Sequence, residues 1–241
     1  MRIGILSDIH GNLPALESVL KKIDELRLDR LHCLGDIVGY GSFPNECVEL
    51  VRSRCTIVVK GNHDSGMTGE TSIDDFNNLG QQAIKWTRKQ ILPEHFEFLK
   101  SLPMMATDGS VTYVHSSPAE PDQWTYIFSI RSAEEAFSAF TTDLCFIGHT
   151  HVPVIIGEDM SINAYTPPRD KSGNLQRRFL INVGSIGQPR DGNPEAAFGV
   201  LDTETLAYEL VRVVYDVEKA AAAITKAGLP TALAKRLYQG V

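Results

Sequence analysis

Three short apolar runs in the first sixty residues each stop at a polar turn, and this repetition constrains the fold more than any other feature. Arg2 to Leu6 runs into Asp8-Ile9-His10, Leu31 to Leu34 into Gly35-Asp36, and Thr56 to Val59 into Gly61-Asn62-His63-Asp64. Between the first two runs, Leu16, Val19, Leu20, Ile23 and Leu26 recur at helical spacing, with Asn12 placed to cap and Pro14 in the first turn. A shorter helical pattern carrying Val48 and Val51 separates the second run from the third. Such a β-α-β-α-β order implies adjacent parallel strands joined by right-handed crossovers. At 241 residues and 43% hydrophobic content, the chain can bury the core that parallel strands require.

Further along, residues 73–102 read as helical, with Phe76, Leu79, Ala83, Trp86, Phe96, Leu99 and Leu102 on the repeat. Strand-like runs follow at Val111 to Val114, Leu144 to Ile147, Val152 to Ile156, Phe179 to Val183, Ala196 to Leu201 and Thr205 to Tyr215. Their short, close spacing makes antiparallel pairing the expectation for the second half. A loop or hairpin excursion is expected near 160–178, and a helical tail over 216–239, broken at Gly228-Leu229-Pro230. With no repeat and no linker, the chain reads as one α/β (α+β) domain over 1–241.

The formal net charge is −7, from 23 Lys+Arg against 30 Asp+Glu. An acidic chain without a basic tract has no footprint for duplex nucleic acid or an anionic membrane. No run approaches the roughly 18 apolar residues that a membrane span needs. The apolar stretch before Asp8 is too short for a signal core, so a cytoplasmic location is expected. Cys33, Cys47, Cys55 and Cys145 form no CxxC pair, and reduced thiols are the expectation.

The histidines carry the chemistry. Of the 7 in the chain, His10, His63, His115, His149 and His151 fall in turns just past apolar runs, while His32 and His95 do not and read as structural or surface residues. In open α/β sheets, ligands bind at the carboxyl ends of strands. Two residues apart in Gly148-His149-Thr150-His151, both imidazoles can face one point. Asp8, His10, Asp36, Asn62, His115, His149 and His151 make seven donors, too many for one ion with room for substrate. Two divalent ions sharing a carboxylate fit the count. Imidazole mixed with carboxylate suits Mn, Fe, Zn, Co or Ni better than Mg or Ca, and the lack of Cys argues against a thiolate zinc site.

Taken in order, Asp8-Ile9-His10, Gly35-Asp36, Gly61-Asn62-His63-Asp64, His115 and Gly148-His149-Thr150-His151 resemble the motif set of the calcineurin-like metallophosphoesterases. The stretch Asn182-Val183-Gly184-Ser185 is similar to the segment that follows those motifs in bacterial members. The resemblance implies a fold of two packed mixed β-sheets flanked by helices, a four-layer sandwich. It further implies that Asp8, His10 and His151 hold a first metal, that Asn62, His115 and His149 hold a second, and that Asp36 bridges them. His63 would be no ligand but would face the substrate as general acid, with Asp64 or another carboxylate available to orient it. Gly39-Tyr40-Gly41 and Asp64 stand where protein phosphatases carry other residues; these positions, with Gly184 to Arg190, look more like small bacterial phosphodiesterase-type members.

The expected reaction is in-line attack on phosphorus by a hydroxide shared between two ions, Mn2+ foremost, with His63 protonating the leaving alcohol. Asn62 and His63 would also contact substrate. Arg190 is balanced between a phosphate contact and a surface ion pair, and Asn12 is a helix cap before it is a substrate contact. Trp124 and Tyr126 read as packing residues before base-stacking ones. A small phosphorylated molecule, a phosphodiester first, is the expected substrate; cleavage of dinucleotide polyphosphates of the diadenosine tetraphosphate type is the alternative. A non-catalytic metal-binding scaffold ranks below both because every ligand position is filled. Two bound M2+ ions would bring the chain from −7 to −3 and reverse the sign at the site, so the acidic balance does not oppose a phosphate substrate. Oligomeric state and substrate identity have no readable signal.

Overall fold

Burial on both faces distinguishes the first strand from a surface strand. In the computed structural model, β1 (Arg2–Leu6) is buried from Ile3 onward. Gly4 lets β2 approach, since a Cβ there would lie 2.8 Å from the Leu31 side chain. The structure describes residues 1–163, 167, 175 and 177–241. In chain order, β1 is followed by α1 (Leu13–Leu26), β2 (Arg30–Cys33), α2 (Pro44–Arg54), β3 (Ile57–Val58), α3 (Asn62–Thr68), α4 (Asn78–Gln90) and α5 (Pro93–Ser101). Next come β4 (Met105–Asp108), β5 (Val111–Val114), α6 (Ile130–Ser138), β6 (Leu144–Ile147), β7 (Val154–Gly157), β8 (Ile162–Asn163) and β9 (Phe179–Asn182). The chain closes with β10 (Ala196–Asp202), β11 (Ala207–Val213), α7 (Val217–Lys226) and α8 (Thr231–Gln239).

The strands make two mixed sheets. One has the order β11-β10-β1-β2-β3, with β1, β2 and β3 parallel and β10 and β11 antiparallel. The other has the order β4-β5-β6-β9-β7-β8, with β5, β6 and β9 parallel. Ile3, Ile5, Tyr113, Phe146, Ile181 and Leu201 fill the space between the sheets. Leu16, Val19, Val48, Phe198, Ile224 and Leu233 form a second apolar layer, under α1, α2, α7 and α8. A third, with Ala136, Phe137, Cys145 and Leu180, lies under α6. Helix, sheet, sheet, helix is the layer order expected from the sequence.

Several elements depart from the expected reading. α3 begins at Asn62, inside a stretch that reads as a turn, because Gly61 and Asp64 build a cap around the poor helix formers Asn62, His63 and Gly66. β4, an exposed edge strand, carries no clear period, whereas α6 buries Ala133, Ala136 and Phe137 at helical spacing; neither is in the expected order of elements. β7 starts at Val154 and not Val152, since Pro153 cannot donate to a ladder. The helical tail resolves into α7 and α8 around Gly228 and Pro230. Of the excursion near 160–178, Ile162–Asn163 pairs with β7 as a hairpin, while 164–166, 168–174 and 176 lie outside the described residues. All four cysteines are free thiols. No helix among the described residues is long and apolar enough to cross a membrane.

Candidate metal centre

The parallel strands of both sheets end at one place, and the backbone is bent sharply there. Asp8, His10, Asp36, His149 and His151 all adopt the left-handed region, with φ of 52°, 51°, 53°, 65° and 62°. For non-glycine residues this costs on the order of 1–3 kcal/mol each and persists only where surrounding contacts impose it. Those contacts are visible: the amides of Asp8, His10 and Gly11 donate to the carbonyls of Gly35, Asp36 and Ile37. Gly148 and Gly61 sit where a Cβ would lie 2.4 Å from Asp8 Oδ2 and 2.1 Å from Asp36 Oδ1, so glycine is required for the carboxylates to lie against the loops.

Two groups of ligand-type atoms result, each confined within 4.8 Å. One comprises Asp8, His10, Asp36 and His151; the other comprises Asp36, His115 and His149. All are buried. In the first group His10 Nε2 lies 3.1 Å from His151 Nε2 and 3.5 Å from Asp36 Oδ2, and His151 Nε2 lies 3.2 Å from Asp8 Oδ1. In the second, His115 Nε2 lies 3.4 Å from Asp36 Oδ2 and 3.1 Å from Asn62 Oδ1. Asp36 thus faces both groups through one oxygen, while its Oδ1 accepts the His63 amide at 2.8 Å.

The ring nitrogens are sorted by main-chain carbonyls. His10 Nδ1 meets Val38 O at 3.2 Å, His115 Nδ1 meets Leu34 O at 2.8 Å, and His151 Nδ1 meets Gln188 O at 2.5 Å. His149 is reversed, with Nε2 at 2.9 Å from Trp124 O. A carbonyl only accepts, so in each neutral ring that nitrogen carries the proton and the other is a bare donor pair facing inward. This is the arrangement in which histidine binds metals. Asp8 is held similarly: Ser7 Oγ donates to its Oδ2 at 2.6 Å, and the His149 amide donates to both oxygens.

Protonation follows from the crowding. Burial would raise Asp8, but the charge and hydrogen bond of His151 hold it well below the usual carboxylate range. Burial would likewise raise Asp36, and the imidazolium of His115 outweighs it. Burial keeps His10 and His151 low and holds His149 at about 3. His115 alone goes up, to about 9, because the Asp36 carboxylate overcomes the effect of burial. Two ionised carboxylates, four buried imidazoles with inward nitrogens and the Asn62 oxygen suit divalent ions of the borderline type.

His63 stands beside both groups without joining either. Its ring is clamped by His10, Tyr40 and Phe76 at centroid distances of 4.8, 4.4 and 5.0 Å. Nδ1 is buried without a hydrogen-bond partner. A Cβ on Gly39 would lie 2.4 Å from that atom. Burial holds His63 at about 4. The expectation that Asp64 orients His63 is not met: Asp64 Oδ1 accepts the amides of Ile37 and Val38, and Oδ2 accepts that of Gly61. Asp64 therefore ties the two ligand loops together, and ring packing orients His63.

Other residues behave as follows. Asn12 caps α1 through Ala15 N and also donates to Gly187 O. Arg190 makes no ion pair among the described residues; its Nη2 donates to Gln188 Oε1. His95 bonds Asn45 and Glu49, and His32 packs edge-on against Tyr113. Trp124 is half-buried and bonds Thr71, but Tyr126 departs from the packing expectation: it is 46% exposed and stacks on His149 at 3.9 Å. Sequence reasoning missed the bracing residues. Asn182 Nδ2 donates to Gly148 O and Thr150 Oγ1, and Ser185 Oγ donates to Asp8 O. Asn182 and Ser185 fall in the segment that follows the motifs, which was the available signal; Ser7 carried none.

Comparison with known proteins agrees with this geometry. The family model for the calcineurin-like phosphoesterase superfamily domain matches residues 1–206. An uncharacterized protein of Methanocaldococcus jannaschii is 40% identical over 99% of this chain and 98% of its own. The crystal structure of a metallophosphoesterase from Sphaerobacter thermophilus superposes with a TM-score of 0.88 at 43% identity, covering 100% of this chain and 99% of that one. The phosphodiesterase YfcE of Escherichia coli is 25% identical over 86% of this chain and 90% of its own. With ligand-bearing strand ends, layer order and sequence all in agreement, the chain belongs to the calcineurin-like phosphoesterase superfamily.

Proposed function

We propose that the protein hydrolyses phosphodiesters of small molecules, using two divalent metal ions. The observation that carries this reading is the single Asp36 oxygen facing two separate groups of buried ligand atoms. Asp8, His10 and His151 would hold one ion, Asn62, His115 and His149 the other, and Asp36 both. When bound, the ions would neutralise phosphoryl oxygens and supply a water-derived nucleophile at neutral pH. The nitrogens and carboxylates are already grouped within 4.8 Å, and His115, protonated beside Asp36 in the metal-free fold, would release its proton on binding.

The chain's own contribution is the proton. His63 lines the cleft, and its ring makes no bond to a carboxylate. An anionic phosphate beside it would add to the Asp36 charge and raise it from about 4, favouring the protonated ring when substrate is bound. It then gives that proton to the leaving oxygen, which would otherwise depart as an alkoxide. Asn62, at the start of α3, sits next to it for a contact to the phosphoryl group, and the acidic α3 cap at Asp64 is occupied by amides and stays out of the reaction. The similarity to a phosphodiesterase supports the diester over the monoester.

The test is hydrolysis of bis-p-nitrophenyl phosphate with Mn2+, before and after chelation. Turnover that chelation abolishes and Mn2+ restores is expected. No hydrolysis of mono-, di- or pyrophosphate substrates with any divalent metal overturns the reading.

A further inference from the structure

Around Tyr40 the surroundings of the metal centre differ in free charge. A cleft of about 780 Å3 opens from Asn62, His63 and His149. Its lining holds one basic residue, Lys60, whose three protons are taken by Glu70 Oε1 and Oε2 at 2.9 and 2.8 Å and by Lys100 O at 3.0 Å. That lining has no cation to spare.

Arg190 and Arg236 stand outside that lining, Arg236 over the Tyr40 ring. The Arg190 amide donates to the carbonyl of His151 at 3.3 Å, which ties this residue to a ligand loop. In its guanidinium, Nη2 donates to Gln188 Oε1 at 3.1 Å, and Nε is buried with no partner. Arg236, from α8, holds its guanidinium carbon 5.9 Å from the Tyr40 ring centroid and donates Nε to Val241 O at 2.7 Å. The arginine ion pairs among the described residues belong to Arg54, Arg131, Arg177, Arg178 and Arg212. Neither Arg190 nor Arg236 is paired with a carboxylate side chain there. Burial and then the Arg190 charge lower Arg236, as expected for like charges close together. Tyr40 lies 4.7 Å from His10 and 4.4 Å from His63 by ring centroids, so the arginines are one ring away from the reacting groups.

Arg190 keeps one orphaned buried donor, and the half-buried Arg236 bonds a single carbonyl through Nε, so both have donors left for a further acceptor. Guanidinium is the group best matched to phosphate oxygens. We propose that Arg190 and Arg236 form a second anion subsite, which holds a phosphate on the part of the substrate retained after cleavage. The preferred substrates are then phosphodiesters that carry an additional terminal phosphate. This rests on the proposed phosphodiesterase reading, and the direction follows from it. His63 faces the cleft, so the leaving alcohol departs there and the retained group lies toward the arginines. Arg236 lies beyond residue 206, where the family match ends, so the C-terminal helices add a specificity element to chemistry held within the matched region.

A matched pair of chromogenic esters tests the subsite: p-nitrophenyl thymidine 5′-phosphate and the same ester with a 3′-phosphate. With the Mn2+-loaded protein, kcat/KM is expected to favour the bisphosphate ester by tenfold or more. Arg236→Ala should reduce that ratio at least tenfold, Arg236→Lys should restore part of it, and Tyr238→Ala, exposed on the same helix, should leave the ratio where it was. Equal rates on the two esters in the wild type, or equal losses on both in Arg236→Ala, overturn the subsite while leaving the phosphodiesterase reading intact. Calorimetric binding of thymidine 3′,5′-bisphosphate against thymidine 5′-phosphate gives a readout without turnover. Tighter binding of the bisphosphate, lost in Arg236→Ala, supports the subsite even if neither ester is cleaved, and equal affinities overturn it.

Discussion

The two ligand groups share Asp36 but are built differently. The first draws Asp8, His10 and Asp36 from the ends of β1 and β2 and only His151 from the other sheet. It is closed over by Tyr40, and its imidazoles are in direct contact. The second takes His115 and His149 from the ends of β5 and β6, with Asn62 opposite, and lies at the mouth of the cleft beneath Tyr126. An enclosed group beside an open one is what a site needs if one ion is to stay and the other is to meet substrate. The sheets supply this by contributing unequally to each group.

The comparison breaks hardest at Asp36. Asp36→Ala is expected to empty both groups and lower turnover about 10⁴-fold or more, the scale of removing a central catalytic group. In the same series, His151→Ala should lower metal affinity at the first group and His149→Ala at the second, each by more than about 10²-fold. Metal content measured after dialysis distinguishes the two, and identical losses would mean that the groups behave as one. His63→Ala should keep both metals and lower kcat on alkyl diesters by about 10²–10⁴-fold, with a much smaller loss on nitrophenyl esters. Equal losses on both ester types would remove His63 from the proton-donor role.

A smaller effect should appear in the metal-free protein. His115 stands at about 9 in the fold against 6.5 unfolded, so its contribution is complete below about 6.5 and is lost as pH rises through about 9. Asp64, raised from 3.8 to about 7 by burial and by Asp36, loses its contribution between those two values and so acts on the acid side, opposite to the buried histidines. His10, His63, His149 and His151 are held low by burial; their contribution is complete above about 6.5 and is lost as pH falls. Tm after chelation should therefore peak near pH 6.5 and fall on both sides, most of the alkaline fall reporting the second group. A flat profile from pH 5 to 9 would contradict the protonation states assigned to both groups.

The first sheet was readable because β1 and β2 are buried on both faces and announce themselves as largely apolar runs such as Ile3 to Leu6. The ligands were readable because each of those runs ends in Gly, Asp, Asn or His. What escaped is what has no pattern. α3 is a helix made from a ligand motif, stabilised by a cap and by its neighbours against the propensities of Asn62, His63 and Gly66. β4 is an edge strand that half faces solvent. Ser7, Asn182 and Ser185 act across 32 to 177 residues of sequence or by a single local hydrogen bond, and no spacing rule connects such partners. Arg236 reaches the site only because α8 folds back over Tyr40.

The orientation of the metal-facing imidazoles has a consequence for how this site can be perturbed. The atoms that fix the four rings are the carbonyls of Val38, Leu34, Gln188 and Trp124, which belong to the main chain whatever side chain they carry. Alanine scanning at these four positions would leave the acceptors in place, and any loss it produced, as at the buried Leu34 and Val38, would report packing and not the contact to histidine. This part of the supporting shell is thus invisible to side-chain genetics. Amide-to-ester replacement, which weakens a carbonyl acceptor without altering the residue, is the kind of change that would reveal it.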